Sequence, residues 1–167
     1  MIKTLIQFPN GGKIDVYKFV DRLSNDYNNV FKCCEHFALQ GAHTIIYPQF
    51  SVTVGNIAYE YIFASLKNTP FWGRCPDFTV NGVWYEHEGY EPSKDLTDPK
   101  KMKLTFSNML ARGLKQSDRI IVEDCHFSRF FAKRSIYKRI NFEHQNISEI
   151  YIRTDAGLEL LYKKEEG

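Results

Sequence analysis

Asn81-Gly82 is the feature that most constrains this chain. It stands between two runs of strand-forming residues, Pro-Asp-Phe-Thr-Val at 76–80 and Val-Trp-Tyr-Glu-His-Glu at 83–88. Asn-Gly accepts the positive φ angles of a two-residue turn, whose twist suits paired strands. Such a bend sets the register: Val80 faces Val83, Thr79 faces Trp84, Phe78 faces Tyr85, and Asp77 faces Glu86. Side chains alternate between faces along a strand. One face therefore carries Asp77, Thr79, Trp84, Glu86 and Glu88. The other carries Phe78, Val80, Val83, Tyr85 and His87, and is the core face. Carboxylates placed opposite each other repel. An offset is expected, from a metal ion, a nearby Arg or Lys, or a shared proton that raises one pKa. Each of these also describes a catalytic site; a solvated outer face is the structural alternative. His87 points to the core side under strict alternation and reads as structural.

The same logic organises the rest of the chain. Asn10-Gly-Gly12 predicts a hairpin within residues 1–20. A helix follows, capped by Ser24 or Asn25 and ended by Gly41, with Tyr27, Val30, Phe31, Cys34, Phe37 and Ala38 on one face. Residues 42–47 read as a buried strand and 56–67 as a second helix, with Tyr59, Ile62, Phe63 and Leu66 inward. Residues 89–101 read as a surface loop. Met102, Phe106, Met109, Leu110 and Leu114 line a helix, and 119–123 form a strand. A basic helix covers 128–140, and a closing hairpin runs from Glu149 to Tyr162 through Asp155-Ala-Gly157. The expected fold is α+β, with N-terminal helices packed on a largely antiparallel, hairpin-built sheet. A single domain over 1–167 is expected, mainly helical over 24–67 and sheet-rich over 76–162.

Composition narrows the function classes. The net charge of +2 neither demands nor excludes a nucleic-acid partner, so local patches decide. No apolar run approaches the ~20 residues of a membrane span, and residues 1–8 are too short and mixed for a signal peptide. Cys33, Cys34, Cys75 and Cys125 lack CxxC spacing, so neither a zinc site nor a disulfide framework is indicated. Reduced thiols imply a cytoplasmic setting without membrane association. No phosphate loop, nucleophile elbow or kinase motif is present.

Residues 127–139 hold Arg129, Lys133, Arg134, Lys138 and Arg139, interleaved with Phe130, Phe131 and Tyr137. Arg129 with Lys133, and Arg134 with Lys138, stack at i,i+4. Cations beside aromatics suit phosphate contacts and base stacking; a solvated amphipathic face is the alternative. His126, at a strand end beside this helix, is a candidate general acid or base. Asp77, Glu86 and Glu88 also resemble the Asp…Glu-x-Lys core of restriction-type nucleases, with Glu88 in place of the lysine. Three acids on one face suit a hard cation such as Mg²⁺.

The stretch from Asp77 to Glu86 resembles the D-x-x-(I/V)-x-G-x-x-x-E hairpin of the C-terminal tRNase domains of contact-dependent growth-inhibition toxins. Phe37-Ala-Leu-Gln-Gly41 is similar to their helix–Gly–strand lead-in. Leu114-Lys-Gln-Ser-Asp-Arg-Ile-Ile-Val122 resembles their Lys-Gln-Ala-Asp-Arg junction, and residues 149–161 resemble their final hairpin. The resemblance spans about residues 30–162. It implies the barnase–EndoU–colicin–RelE-like fold and metal-independent endoribonuclease activity, typically on tRNA. It implies site residues Asp77, Trp84, Glu86, Lys115 and Gln116, and suggests a cognate immunity protein as a partner. The alternatives are a metal-dependent nuclease using the same acids with Mg²⁺, and an inactive nucleic-acid-binding accessory protein.

Overall fold

The computed structural model describes residues 1–92 and 94–166. In chain order the elements are β1 (Ile2–Gln7), β2 (Lys13–Tyr17), α1 (Tyr27–Ala38), β3 (His43–Ile46), α2 (Ile57–Ile62), β4 (Phe78–Val80), β5 (Val83–Glu88), α3 (Pro99–Gly113), β6 (Arg119–Glu123), α4 (Arg129–Asn141), β7 (Glu149–Thr154) and β8 (Gly157–Lys163). They divide into two compact units. The first holds Met1–Tyr85 with Lys115–Ser117; the second holds Glu86–Leu114 and the chain from Asp118 onward. The division runs through β5.

In the first unit the Asn81-Gly82 turn forms with φ of 49° and 82°. The pairs Val80–Val83, Thr79–Trp84 and Phe78–Tyr85 form in the register that the two-residue bend dictates. α1 begins after Asp26 and turns off at Gly41, whose φ is 95°. Its buried residues include Val30, Cys33, Cys34 and Phe37. The Phe37 ring lies 5.3 Å from that of Tyr85 and 6.4 Å from that of Phe78, which makes their side of the sheet a core face. The β1–β2 turn seats on the helix end: a Cβ at Gly12 would stand 1.8 Å from the Ala38 carbonyl oxygen. Only glycine permits that approach.

The opposite face is covered too, so around Thr79 and Trp84 the solvated outer face, the structural alternative, does not form. Asn56 caps α2 by accepting from the Ala58 and Tyr59 amides. A 3-10 turn at Ala64–Leu66 follows, and Tyr59, Ile62, Phe63 and Leu66 are all buried as the helical spacing requires. Phe63 stacks on Trp84 at 5.3 Å, and Tyr47 lies 4.3 Å from the same indole. Thr79, on the same face, is buried.

In the second unit the end of β5 pairs with β6, β6 with β7, and β7 with β8. α3 starts at Pro99 behind an Asp98 cap that accepts the Lys100 amide at 2.9 Å. Asp-Pro is a cap-and-first-turn pair, so the helix begins inside the stretch expected to be loop. Phe106, Met109 and Leu110 of α3, with Ala132 and Ile136 of α4, pack on Ile120, Val122, Ile150, Ile152 and Leu161.

The fold is α+β, but its pairings are mixed rather than largely antiparallel. β2–β3, β5–β6 and β6–β7 are parallel. Parallel neighbours need a crossover, usually helical. α1, α3 and α4 lie in the chain between the members of those three pairs. The helices therefore alternate with strands instead of gathering at the N-terminus.

Candidate nucleic-acid interface

α4 is anchored by Ala132 and Ile136, one turn apart and both buried. That stripe, with Ile140 packed beside the core, turns the opposite side of the helix outward. Phe130, Phe131 and Tyr137 are exposed, as is Phe142 just beyond the helix. Phe130 and Phe131 meet edge to face at 5.3 Å.

The five cations named from the sequence have two fates. Arg129 donates from Nε to Glu159 Oε2 at 2.6 Å, and from Nη1 and Nη2 to the two Asp124 carboxylate oxygens at 3.1 Å each. Arg139 donates from Nη2 to the Ser107 carbonyl and hydroxyl and from Nη1 to Gln145 Oε1. These two arginines are structural clamps. Lys133, Arg134 and Lys138 are exposed and pair with nothing among the described residues. The surviving surface is thus three cations interleaved with three aromatic rings.

His126 lies beyond the end of β6, at the approach to α4. Its side chain is 69% exposed, its φ is 61°, and its amide donates to Asp124 Oδ1 at 2.8 Å. Its Nδ1 stands 3.7 Å from Asp124 Oδ2. A non-glycine residue held at positive φ is a small store of strain that recurs at functional sites. Burial opposes ionisation of Asp124, but the Arg129 hydrogen bonds, the His126 amide and their charges outweigh it and hold its carboxyl below the ordinary range. Asp124 was not singled out in the sequence; its place two residues before a histidine at a strand end is the signal that finds it.

In the second unit the strand face that carries His87 combines the buried Ile121 with paired charges. His87 Nε2 lies 2.9 Å from Glu123 Oε2, and its side chain is 2% exposed. Arg153 donates to both Glu123 oxygens. Burial opposes ionisation of Glu123, yet the bonds from His87 and Arg153 prevail and its carboxyl stays below the ordinary value. Further along, Arg119 Nε donates to Glu149 Oε2 at 2.8 Å and the Tyr151 hydroxyl donates to Glu149 Oε1 at 3.2 Å. Burial and the Glu149 charge push the Tyr151 phenol up to about 12. His87 is therefore a bonded structural histidine, as strand alternation implies.

The remaining named residues are divided between the units. In the first, Asp77 Oδ1 accepts from Gln49 Nε2 at 3.3 Å. Trp84 Nε1 donates to Ser65 Oγ at 2.9 Å, Gln116 Oε1 accepts from the Cys75 amide at 3.3 Å, and Lys115 is exposed. Trp84 and Gln116 thus serve the packing of their own unit. In the second, Glu86 and Glu88 pair in register with Ile120 and Val122, on the α3 side. Glu86 is buried, and Glu88 Oε2 accepts from Arg112 Nε at 3.1 Å.

Among the described residues no group of three or more His, Cys, Asp or Glu is arranged to hold a metal ion. The four cysteines are buried and form no disulfide, and burial raises the Cys34, Cys75 and Cys125 thiols above their ordinary values. Among the described residues no helix is long and apolar enough to cross a membrane. No family model, no curated protein and no solved structure matches the chain.

Proposed function

We propose that this chain is an endoribonuclease acting on tRNA-type substrates, which holds RNA on α4 and cleaves it beside His126. The exposed α4 surface carries the reading: Lys133, Arg134 and Lys138 interleaved with Phe130, Phe131 and Tyr137. Uncompensated cations attract a phosphate backbone and release its counterions. Aromatic faces stack on unpaired bases. Tied into ion pairs, the same cations would offer a polyanion little.

In this reading His126 takes the proton of a 2′-hydroxyl. The oxygen attacks the adjacent phosphorus, the 5′-oxygen leaves with a proton from a general acid, and a 2′,3′-cyclic phosphate remains. An α4 cation stabilises the charge on the phosphorane. The carboxylates of β5 are the competing choice of base.

A second reading, a non-catalytic RNA-binding module, is favoured by the burial of Glu86 and the ion pair that occupies Glu88. Incubation with bulk tRNA in EDTA, followed on a denaturing gel, separates the two. The nuclease reading expects cyclic-phosphate ends. It expects His126→Gln to slow cleavage by about 10²–10⁴-fold with binding retained. Wild-type rates in both His126→Gln and Glu86→Gln would sink the site. Binding without cleavage, with or without added Mg²⁺, would establish the second reading. Cleavage abolished by EDTA and restored by Mg²⁺ would overturn the metal-independent chemistry.

A further inference from the structure

Between α4 and β8 lies a cleft of about 510 Å³, lined by Lys133, Tyr137, Asn141 and Ile140 from the helix and Leu161, Tyr162 and Lys163 from the strand. We propose that this cleft is a subsite for one unstacked nucleotide of single-stranded RNA, with the base against Tyr137 and Tyr162 and its phosphates on Lys133 and Lys163. The inference rests on the RNA-binding part of the proposed function and names the form of RNA that the surface selects.

Four observations carry it. The volume falls within the ~300–1,000 Å³ of small-ligand pockets. The lining is layered: Leu161 is buried, Ile140 and Tyr162 are partly buried, and Lys133, Tyr137, Asn141 and Lys163 are exposed. The charge is complementary to phosphate, since two lysines face one lining acid, Glu165. Asn141 Nδ2 donates to the Tyr137 carbonyl at 3.0 Å, which leaves Oδ1 as an acceptor for a base amino group.

A duplex keeps its bases stacked and paired, so it can offer this cleft only backbone. A single strand can turn a base inward, stack it on a tyrosine and hydrogen-bond its edge. Base–aromatic stacking and lysine contacts then act on the same nucleotide. Residues 133, 137, 140 and 141 share one helix stripe, so the cleft wall and the outer cationic face meet along α4. An RNA strand lying on Arg134 and Lys138 would reach the cleft without leaving the helix.

The test uses the full chain and fluorescently labelled RNA in EDTA: a ten-nucleotide single strand and a blunt duplex of the same sequence. Wild type is expected to bind the single strand at least ~10-fold more tightly. Tyr137→Ala is expected to weaken single-strand binding by ~5–100-fold and duplex binding less than twofold. Lys163→Gln should lower the single-strand salt slope by about 0.7. Tyr61→Ala, an exposed ring on α2 of the first unit, serves as the comparison, and urea midpoints confirm that each variant is folded. Free AMP should shift the amide resonances of Tyr162 and Lys163 in wild type and not in Tyr137→Ala. If wild type binds RNA but Tyr137→Ala and Lys163→Gln behave like wild type, the subsite is wrong and the proposed function stands. Equal losses for single strand and duplex would also overturn the subsite. If wild type binds neither RNA, both proposals fall.

Discussion

On the β6–β7 strand face of the second unit each cation meets a carboxylate: Arg153 meets Glu123, and Arg119 meets Glu149. On α4 of the same unit Lys133, Arg134 and Lys138 meet none among the described residues. The two surfaces use the same chemistry to opposite ends. Parallel pairing places Arg119 beside Glu149 and Glu123 beside Arg153, so strand register itself neutralises the charge. On the helix the buried Ala132–Ile136 stripe leaves Lys133, Arg134 and Lys138 exposed, with no ion pair among the described residues. A neutralised face holds the sheet together; an uncompensated one leaves its charge in solvent, where the proposed RNA would meet it.

The largest effect of a substitution is expected at Arg153. Arg153 and Glu123 are each 17% exposed, and removing Arg153 strips Glu123 of its two guanidinium bonds and leaves it, among the described residues, only the His87 contact. Arg153→Leu should cost about 3 kcal/mol of stability, read from the urea midpoint, with RNA affinity in the folded variant unchanged. Arg129 is intermediate. It sits on α4 but is bound to Asp124 and Glu159, with a third of its side chain exposed. Solvent screening discounts that pair, so Arg129→Gln should cost about 1 kcal/mol. It should lower affinity only by loosening the anchorage of the helix.

Acid sharpens the contrast further. Glu123 has a depressed carboxyl, so its folded form binds protons more weakly than the unfolded chain. That contribution is complete above its ordinary value of 4.5 and is lost as the pH falls through the lower folded value. The urea midpoint of wild type should therefore fall over this acid window. In Glu123→Gln the fall should be shallower; an identical pH profile would show that the pair contributes nothing. The smallest effect is expected on the other surface. Lys133→Gln, Arg134→Gln and Lys138→Gln should each change stability by less than about 0.5 kcal/mol. A larger loss would mean that these cations are structural after all.

Much of the local structure was legible in sequence, because short-range chemistry decides it. Asn81-Gly82 fixed its register, Tyr59 to Leu66 buried the helical stripe, and strand alternation turned His87 inward. Strand direction was less legible. Nothing within β6 states that it runs parallel to β5 and β7; that depends on α3 and α4 acting as crossovers. The fate of the Trp84 face was hidden for a similar reason, since Phe63 reaches it from a distant segment. On α4 the spacing of the cations was plain. Which of them stay uncommitted was not, because the partners of Arg129 and Arg139 include Glu159 and Ser107, thirty or so residues away.

In the proposed function α4 presents charge to RNA and not to the protein itself. The most direct measurement is the affinity for a single-stranded RNA as a function of salt, for wild type and for the chain carrying Lys133→Gln, Arg134→Gln and Lys138→Gln together. Neutralising the three cations should flatten the slope of log K against log salt by about 2, with the urea midpoint unmoved. A slope and an affinity equal to wild type in the folded triple variant would contradict the account.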